Sequence, residues 1–361
     1  MEKPLNYSHI QKILAPLGAL ILIMGLALGC SQEPSQAPVP KTLTLMTHDS
    51  FSISKPVLDA FEKHLDAKVV ILKSGDAGEA LNKAILSKNN PLAQVFYGVD
   101  NTFISRALAQ DIFLAYAPKG LEAVADDLKM DPENRLIPMD FGDVCINYDK
   151  TWFETHNIRP PASLEDLTRP EYKDLLVVQN PATSSPGLAF LLATVSRFGK
   201  EGYLDFWKKL VANGLLVKNG WKEAYWGEFT AASEGNRPLV VSYASSPTAE
   251  VFYADPKPAT APTGLVIDRG AAFRQVEFAG ILAGTQDLEL AQKAMDFMLS
   301  STFQEDIPLQ MFVFPANGKA NLPGVFTAHA KITPDPARLD PQDIHENRES
   351  WIRQWTECVL Q

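Results

Sequence analysis

The sequence predicts an α/β protein of two lobes with a ligand cleft between them. Three observations predict it. From Lys41 onward, short apolar strands alternate with amphipathic helices, the pattern of sheets covered on both faces. The 361-residue chain keeps about 330 residues beyond its leader, too many for one simple core and comfortable for two. The polar and aromatic motifs fall just after strand ends, where open α/β sheets hold their ligands.

The first segment is a leader. Lys3 and Lys12 precede an apolar run over 13–28 that ends at Gly29-Cys30. A basic stretch, an apolar stretch of about 16 residues and a small residue before the cut make a secretory signal. The run is shorter than the roughly 20 residues of a spanning helix, and it contains Pro16 and Gly18. Its ending resembles a bacterial lipoprotein signal. Residues 1–30 are therefore expected to be a lipoprotein-type signal peptide, with Cys30 as the acylated first residue of an exported, periplasmic, membrane-anchored chain. Residues 31–40 (SQEPSQAPVP) read as a flexible tether, polar and proline-rich with nothing to bury.

Beyond the tether, apolar runs predict strands over 43–46, 69–72, 94–99, 144–148, 175–179, 215–218, 239–243 and 277–282. Helical spacing predicts helices over 57–65, 80–86, 103–108, 188–198, 203–211, 288–299 and 351–360. The loop around Phe141-Gly142 and the proline-rich 254–262 are the candidate crossings between lobes. They give lobe 1 as 41–142 and 265–315, and lobe 2 as 143–264 and 316–361.

Composition narrows the function. The formal net charge is −10 and there is no lysine or arginine run, which argues against nucleic acid and is compatible with a cationic ligand. Cys145 and Cys358 form no disulfide framework, and Cys145 in a strand-like run reads as a buried free thiol. The sequence has no G-x-S-x-G, H-E-x-x-H, P-loop or G-x-G-x-x-G motif, and its six histidines lack metal-ligand spacing. No catalytic residue, metal or cofactor is expected.

Two segments nearly repeat: Thr183-Ser184-Ser185-Pro186-Gly187-Leu188 and Tyr243-Ala244-Ser245-Ser246-Pro247-Thr248. Each reads as a helix start, with serine at the N-cap and proline at the first helical position. A helix start presents unpaired N–H groups and a partial positive charge to a hydroxyl or phosphate oxygen. Trp221 lies between them in sequence. Both triplets also read as ordinary caps with Trp221 in the core. In the other lobe Asp49, Asp76 and Asp100 each follow a strand end, as site residues or as N-caps.

With these motifs the chain resembles the thiamine-binding, substrate-binding components of ABC importers. The resemblance rests on Thr47-His48-Asp49-Ser50-Phe51, on Asp76 ahead of Ala80-Leu81-Asn82, and on Val99-Asp100-Asn101. It continues through Gln179 to Leu188, Gly220-Trp221-Lys222-Glu223-Ala224-Tyr225, Ser242 to Pro247, Phe314-Pro315-Ala316-Asn317 and Trp351 to Trp355. It implies a two-lobed periplasmic-binding-protein fold (type II) that closes over its ligand by hinge motion. It also implies that Asp76, Ala77, Ser184, Ser185, Trp221, Tyr243, Ala244, Ser245 and Ser246 line the ligand site. The implied ligand is thiamine or its phosphate esters, and the implied partners are a permease and an ATPase.

Four positions depart from the family pattern. His48 stands where relatives often have tyrosine, Asp143 where an aromatic is usual, Ala249 for a tyrosine and Phe312 for a tryptophan. These thin the aromatic enclosure, and Asp143 is read as an added carboxylate. Two rival readings follow. One is the same fold with a polyamine, phosphonate or ferric ion. The other is an exported enzyme, for which only Cys145, or His48 with Asp49, could be nominated.

Overall fold

A computed structural model of the protein describes residues 41–361; the expected signal peptide with Cys30, and the tether, lie outside the described residues. The strands are β1 (Thr42–Thr47), β2 (Lys68–Lys73), β3 (Val95–Asp100), β4 (Phe113–Leu114), β5 (Ile137–Asp149) and β6 (Leu176–Gln179). They continue with β7 (Leu216–Lys218), β8 (Leu239–Tyr243), β9 (Thr263–Val266), β10 (Phe273–Leu282) and β11 (Phe314–Pro315).

The main strand order is β2-β1-β3-β10-β5-β8-β6-β7. At one end β1 pairs in parallel with β2 and β3; at the other β6 pairs in parallel with β7 and β8. The long strands β10 and β5 join these two sets as an antiparallel pair. β5 makes the change of partner itself. Its residues 137–144 pair with β10, and its residues 144–149 pair with β8 and β9.

Two expectations are corrected here. Phe141-Gly142, read as a loop, lies inside β5, so the passage between the two strand sets is a continuous strand. Pro138 and Gly142 signal a break in sequence, yet every residue of 137–143 except Phe141 is buried by the neighbouring strand and the layers above it. The stretch 254–262 leads into β9, which pairs with the same part of β5 as β8, so it does not pass between the sets. The expected lobe boundary at 264/265 falls within β9.

Each helix buries one apolar face on the sheet, although Leu86, which helical spacing sets beside Leu81 and Ile85, is exposed. Phe61 and Leu65 are buried in the helix Lys55–Leu65, and Ala80, Leu81 and Ala84 in the helix Ala77–Leu86. The helices expected over 188–198 and 203–211 belong to one segment, Ser185–Ala212, broken at Gly199 where φ is 76°. Its second part packs on the C-terminal helix Pro341–Val359, with the rings of Trp207 and Trp355 edge to face at 5.5 Å.

Asp143 does not enlarge the ligand site. Its buried carboxylate accepts a forked pair from Arg274 Nε and Nη2 at 2.8 and 3.0 Å, and both the N–H and hydroxyl of Thr333 at 2.6 Å. It ties β5, β10 and the 333 segment together. Asp143→Ala would leave Arg274 and Thr333 without their acceptor, and should cost about 3 kcal/mol of stability in urea titrations.

Candidate functional site

The parallel strands of both sets aim their carboxyl ends at one cavity of about 490 Å³. His48 and Asp49 follow β1, Lys73 ends β2, and Asp76 starts the next helix. From the other set come Ser185 and Pro186 after β6, Trp221 and Lys222 after β7, and Tyr243 at the end of β8. Asp140 of β5 and Gln275 and Glu277 of β10 supply the wall between them, and Met311 to Val313 lie along another side.

Asp76 is both a cap and a lining residue. Its Oδ1 accepts from Ala77 N at 2.8 Å, at the start of its own helix. Its Oδ2 accepts from Trp221 N at 3.0 Å, at the start of the helix Trp221–Glu228. Burial pushes the Asp76 carboxyl above its ordinary range, against the hydrogen bonds that favour its charge. A second bond joins the two strand sets beside it, from Gly78 N to the Thr183 carbonyl at 3.0 Å.

Trp221 presents an aromatic face that is fixed from behind. Its ring stacks on Tyr225 at 4.8 Å and 17°, and its Nε1 donates to Ser242 Oγ at 2.8 Å. Ser242 Oγ in turn shares a hydrogen bond with Ser246 Oγ at 2.7 Å. Tyr243 lies over Gly142 of β5. A Cβ at 142 would stand 2.8 Å from Tyr243 Cδ1, so this crossing needs glycine for the ring to pack.

The two serine triplets separate in role. Ser185 and Pro186 reach the cavity, and the Ser185 hydroxyl donates to buried Asp100. Gly187 lets this helix start press on β6, since a Cβ there would meet the Gln179 carbonyl at 2.6 Å. Ser184 is the buried N-cap, makes no side-chain capping bond and does not line the cavity. Ala244, Ser245 and Ser246 are also buried behind the wall. Ser245 donates to the Phe312 carbonyl at 2.6 Å, and Ser246 Oγ accepts from Tyr243 N at 3.1 Å. Of the nine expected residues, Asp76, Ala77, Ser185, Trp221 and Tyr243 therefore meet at the cavity, and the other four frame it.

Sequence reading missed Trp226, Tyr253, Asp140 and Glu277, which all line the cavity. Ala249 is buried, but Tyr253 lies one turn further along the same helix, Pro247–Tyr253, and its ring stands 5.6 Å from Phe312. The aromatic enclosure is thus supplied from a neighbouring position. The signal for Glu277 was an acid within the apolar run Val276 to Leu282, where a carboxylate has no structural reason to be. His48 meets Glu277, not Asp49. Cys145 is free and fully buried, and burial pushes its thiol up.

A cleft at facing strand ends, walled by aromatic rings and carboxylates, defines a small-molecule binding protein. The chain belongs to the bacterial extracellular solute-binding proteins, whose family model matches residues 90–334. That is a family of carriers and not of enzymes. The chain is similar to the thiamine-binding periplasmic protein of Brucella suis, 31% identical over 348 residues covering 93% of this chain and 96% of that protein. It is 30% identical to the thiamine-binding periplasmic protein of Escherichia coli over 341 residues, 92% of this chain and 97% of that one. A solved periplasmic thiamin binding protein superposes with a TM-score of 0.79 at 28% identity, over 90% of this chain and 98% of that chain. The fold is the two-lobed periplasmic-binding-protein fold of type II, with the ligand cleft between the lobes.

Burial pushes the Asp100 carboxyl up to about 7, with hydrogen bonds from Thr102 opposing. A folded-state value above the unfolded one means that the native state binds the extra proton, so this group lowers stability as pH rises from about 4 through about 7. Asp100→Asn removes this titration while Ser185 turns its hydroxyl to accept. Its stability relative to wild type should rise across that window, by at most on the order of 4 kcal/mol, and level off above it in paired thermal melts.

Proposed function

We propose that the chain binds thiamine and delivers it to the permease and ATPase of an ABC importer. One observation carries this reading: a single cavity combines a fixed aromatic wall with several carboxylates. Thiamine has a permanently cationic thiazolium, an aminopyrimidine and a hydroxyethyl arm. Trp221, backed by Tyr225, offers the thiazolium a π-face worth about 0.5–2 kcal/mol. Asp76, beside Ala77, accepts from the amino group of the pyrimidine. The helix start at Ser185 and Pro186 receives the hydroxyethyl oxygen. Ser184, Ala244, Ser245 and Ser246 hold these groups in place from behind. The cavity volume lies within the range of small-molecule sites.

Phosphate esters of thiamine belong to the same proposal. Lys73 and Lys222 line the cavity from opposite strand sets. Burial and the neighbouring Lys222 charge both depress the Lys73 ammonium, a repulsion that a phosphate between them would relieve. In this reading the chain is exported, a lipid on Cys30 anchors it, and the tether over 31–40 gives it reach. The lobes are 41–142 with 267–315 and 143–266 with 316–361, a partition that keeps β9 whole.

Thiamine titrations followed by tryptophan fluorescence test the reading. Wild type should give a saturable change, and Trp221→Ala should bind roughly twofold to thirtyfold more weakly. No saturable response by about 1 mM thiamine would reject thiamine as the ligand.

A further inference from the structure

The cavity holds a second charged centre, apart from Asp76 and the aromatic wall. His48 comes from the end of β1, Glu277 from the middle of β10 and Asp140 from β5, and all three line the cavity. His48 Nε2 lies 3.3 Å from Glu277 Oε1, and the two side chains are only 11% and 9% exposed. The contact is a charge pairing rather than a formed hydrogen bond, since buried Nε2 makes no hydrogen bond. The groups facing His48 are the Glu277 and Asp76 carboxyls, the Lys73 ammonium and the rings of Tyr97 and Phe51. Behind Glu277 stands Asp140, which accepts a hydrogen bond from the Tyr97 hydroxyl.

We infer that His48 is the exchangeable counter-ion of Glu277: the fixed positive charge of the ligand takes its place beside the carboxylate, and the imidazolium releases its proton to solvent. The inference rests on the ligand's being an organic cation. In a dry cavity two positive charges beside one carboxylate repel strongly. A thiazolium has no proton to lose, whereas an imidazolium does. The exchange balances: one positive charge enters, one proton leaves, and neutral imidazole remains next to the bound cation. Burial works against the imidazolium, but the adjacent Glu277 outweighs it, so His48 holds its proton above the ordinary value of 6.5. The empty site therefore carries the proton at the pH where exchange is to be measured.

Isothermal titration of thiamine into the full-length protein, solubilised in mild detergent, reads this directly. Two buffers of different ionisation enthalpy give the number of protons released. Wild type should release about one proton per thiamine at about pH 6 and progressively fewer toward about pH 8 and above. Its affinity should rise by up to about tenfold per pH unit below the His48 titration. His48→Gln should still bind thiamine, releasing about one proton fewer than wild type and with a correspondingly weaker pH dependence of affinity. Glu277→Gln should bind at least about tenfold more weakly. Equal heats in both buffers for wild type, or unchanged release from His48→Gln, would overturn the inference while leaving thiamine as the ligand. Absence of any binding heat in wild type would overturn the ligand assignment and this inference together.

Discussion

The Asp76 carboxylate is the constraint on which the rest of the site depends. It sits between two helix starts, taking the Ala77 N–H with one oxygen and the Trp221 N–H with the other. Each helix start carries partial positive charge, so one half-buried anion satisfies both. The two helices belong to opposite strand sets, and the carboxylate therefore also fastens one side of the cavity to the other. Trp221 owes its position to this bond at its backbone and to Ser242 at its indole nitrogen. The aromatic face and the carboxylate are held as one unit.

The strands β5 and β10 explain how such a unit can open. They alone run between the parallel strand sets in the main order, and β5 changes partner near residue 144. The lining residues Asp140, Gln275 and Glu277 lie on these strands, while Asp76, Ser185, Trp221 and Tyr243 lie at strand ends on either side. A rotation between the sets would pull the strand-end residues apart and move the residues on β5 and β10 little. Gly142 lies at the junction, where its missing Cβ leaves room for the Tyr243 ring. The bonds that oppose opening join the two sides directly: Trp221 to Asp76, Gly78 to Thr183, Ser185 to Asp100 and Ser245 to Phe312.

Much of this was legible in the sequence, for a physical reason. Parallel strands buried on both faces, such as Val95–Asp100, read as unbroken apolar runs, and their strand ends locate a site by rule. Asp76 and Trp221 were found in that way. The first half of the crossing strand β5 was not, because Pro138, Gly142 and the two acids of 137–143 look like a loop until the partner strands are known. Asp143 shows the same limit. As a residue type it reads as a ligand carboxylate, and only its contacts with Arg274 and Thr333 assign it to the framework. The serine triplets look alike in sequence but differ in what they cover. Ser185 faces the cavity, whereas Ser245 and Ser246 spend their hydroxyls on Phe312 and Tyr243. Helix starts can be read locally; the side of a helix start that faces the ligand cannot.

The electrostatics of the cavity favour a fixed cation over a neutral solute of the same size. Burial raises both Asp76 and Asp140 above the carboxylate range, and for Asp140 the neighbouring Glu277 adds to it. The fold thus holds several acids whose charged forms lack solvation. Water meets that need while the cleft is open, but closure removes it. A permanent cation between the lobes then becomes the solvating charge, worth about 4 kcal/mol per carboxylate at about 4 Å in an effective dielectric of about 20. A neutral ligand would leave the same acids buried and unsolvated, so closing over it would gain less. Selection for positive charge and the drive to close therefore come from one source, the carboxylates that the strand ends and the crossing strands bring together.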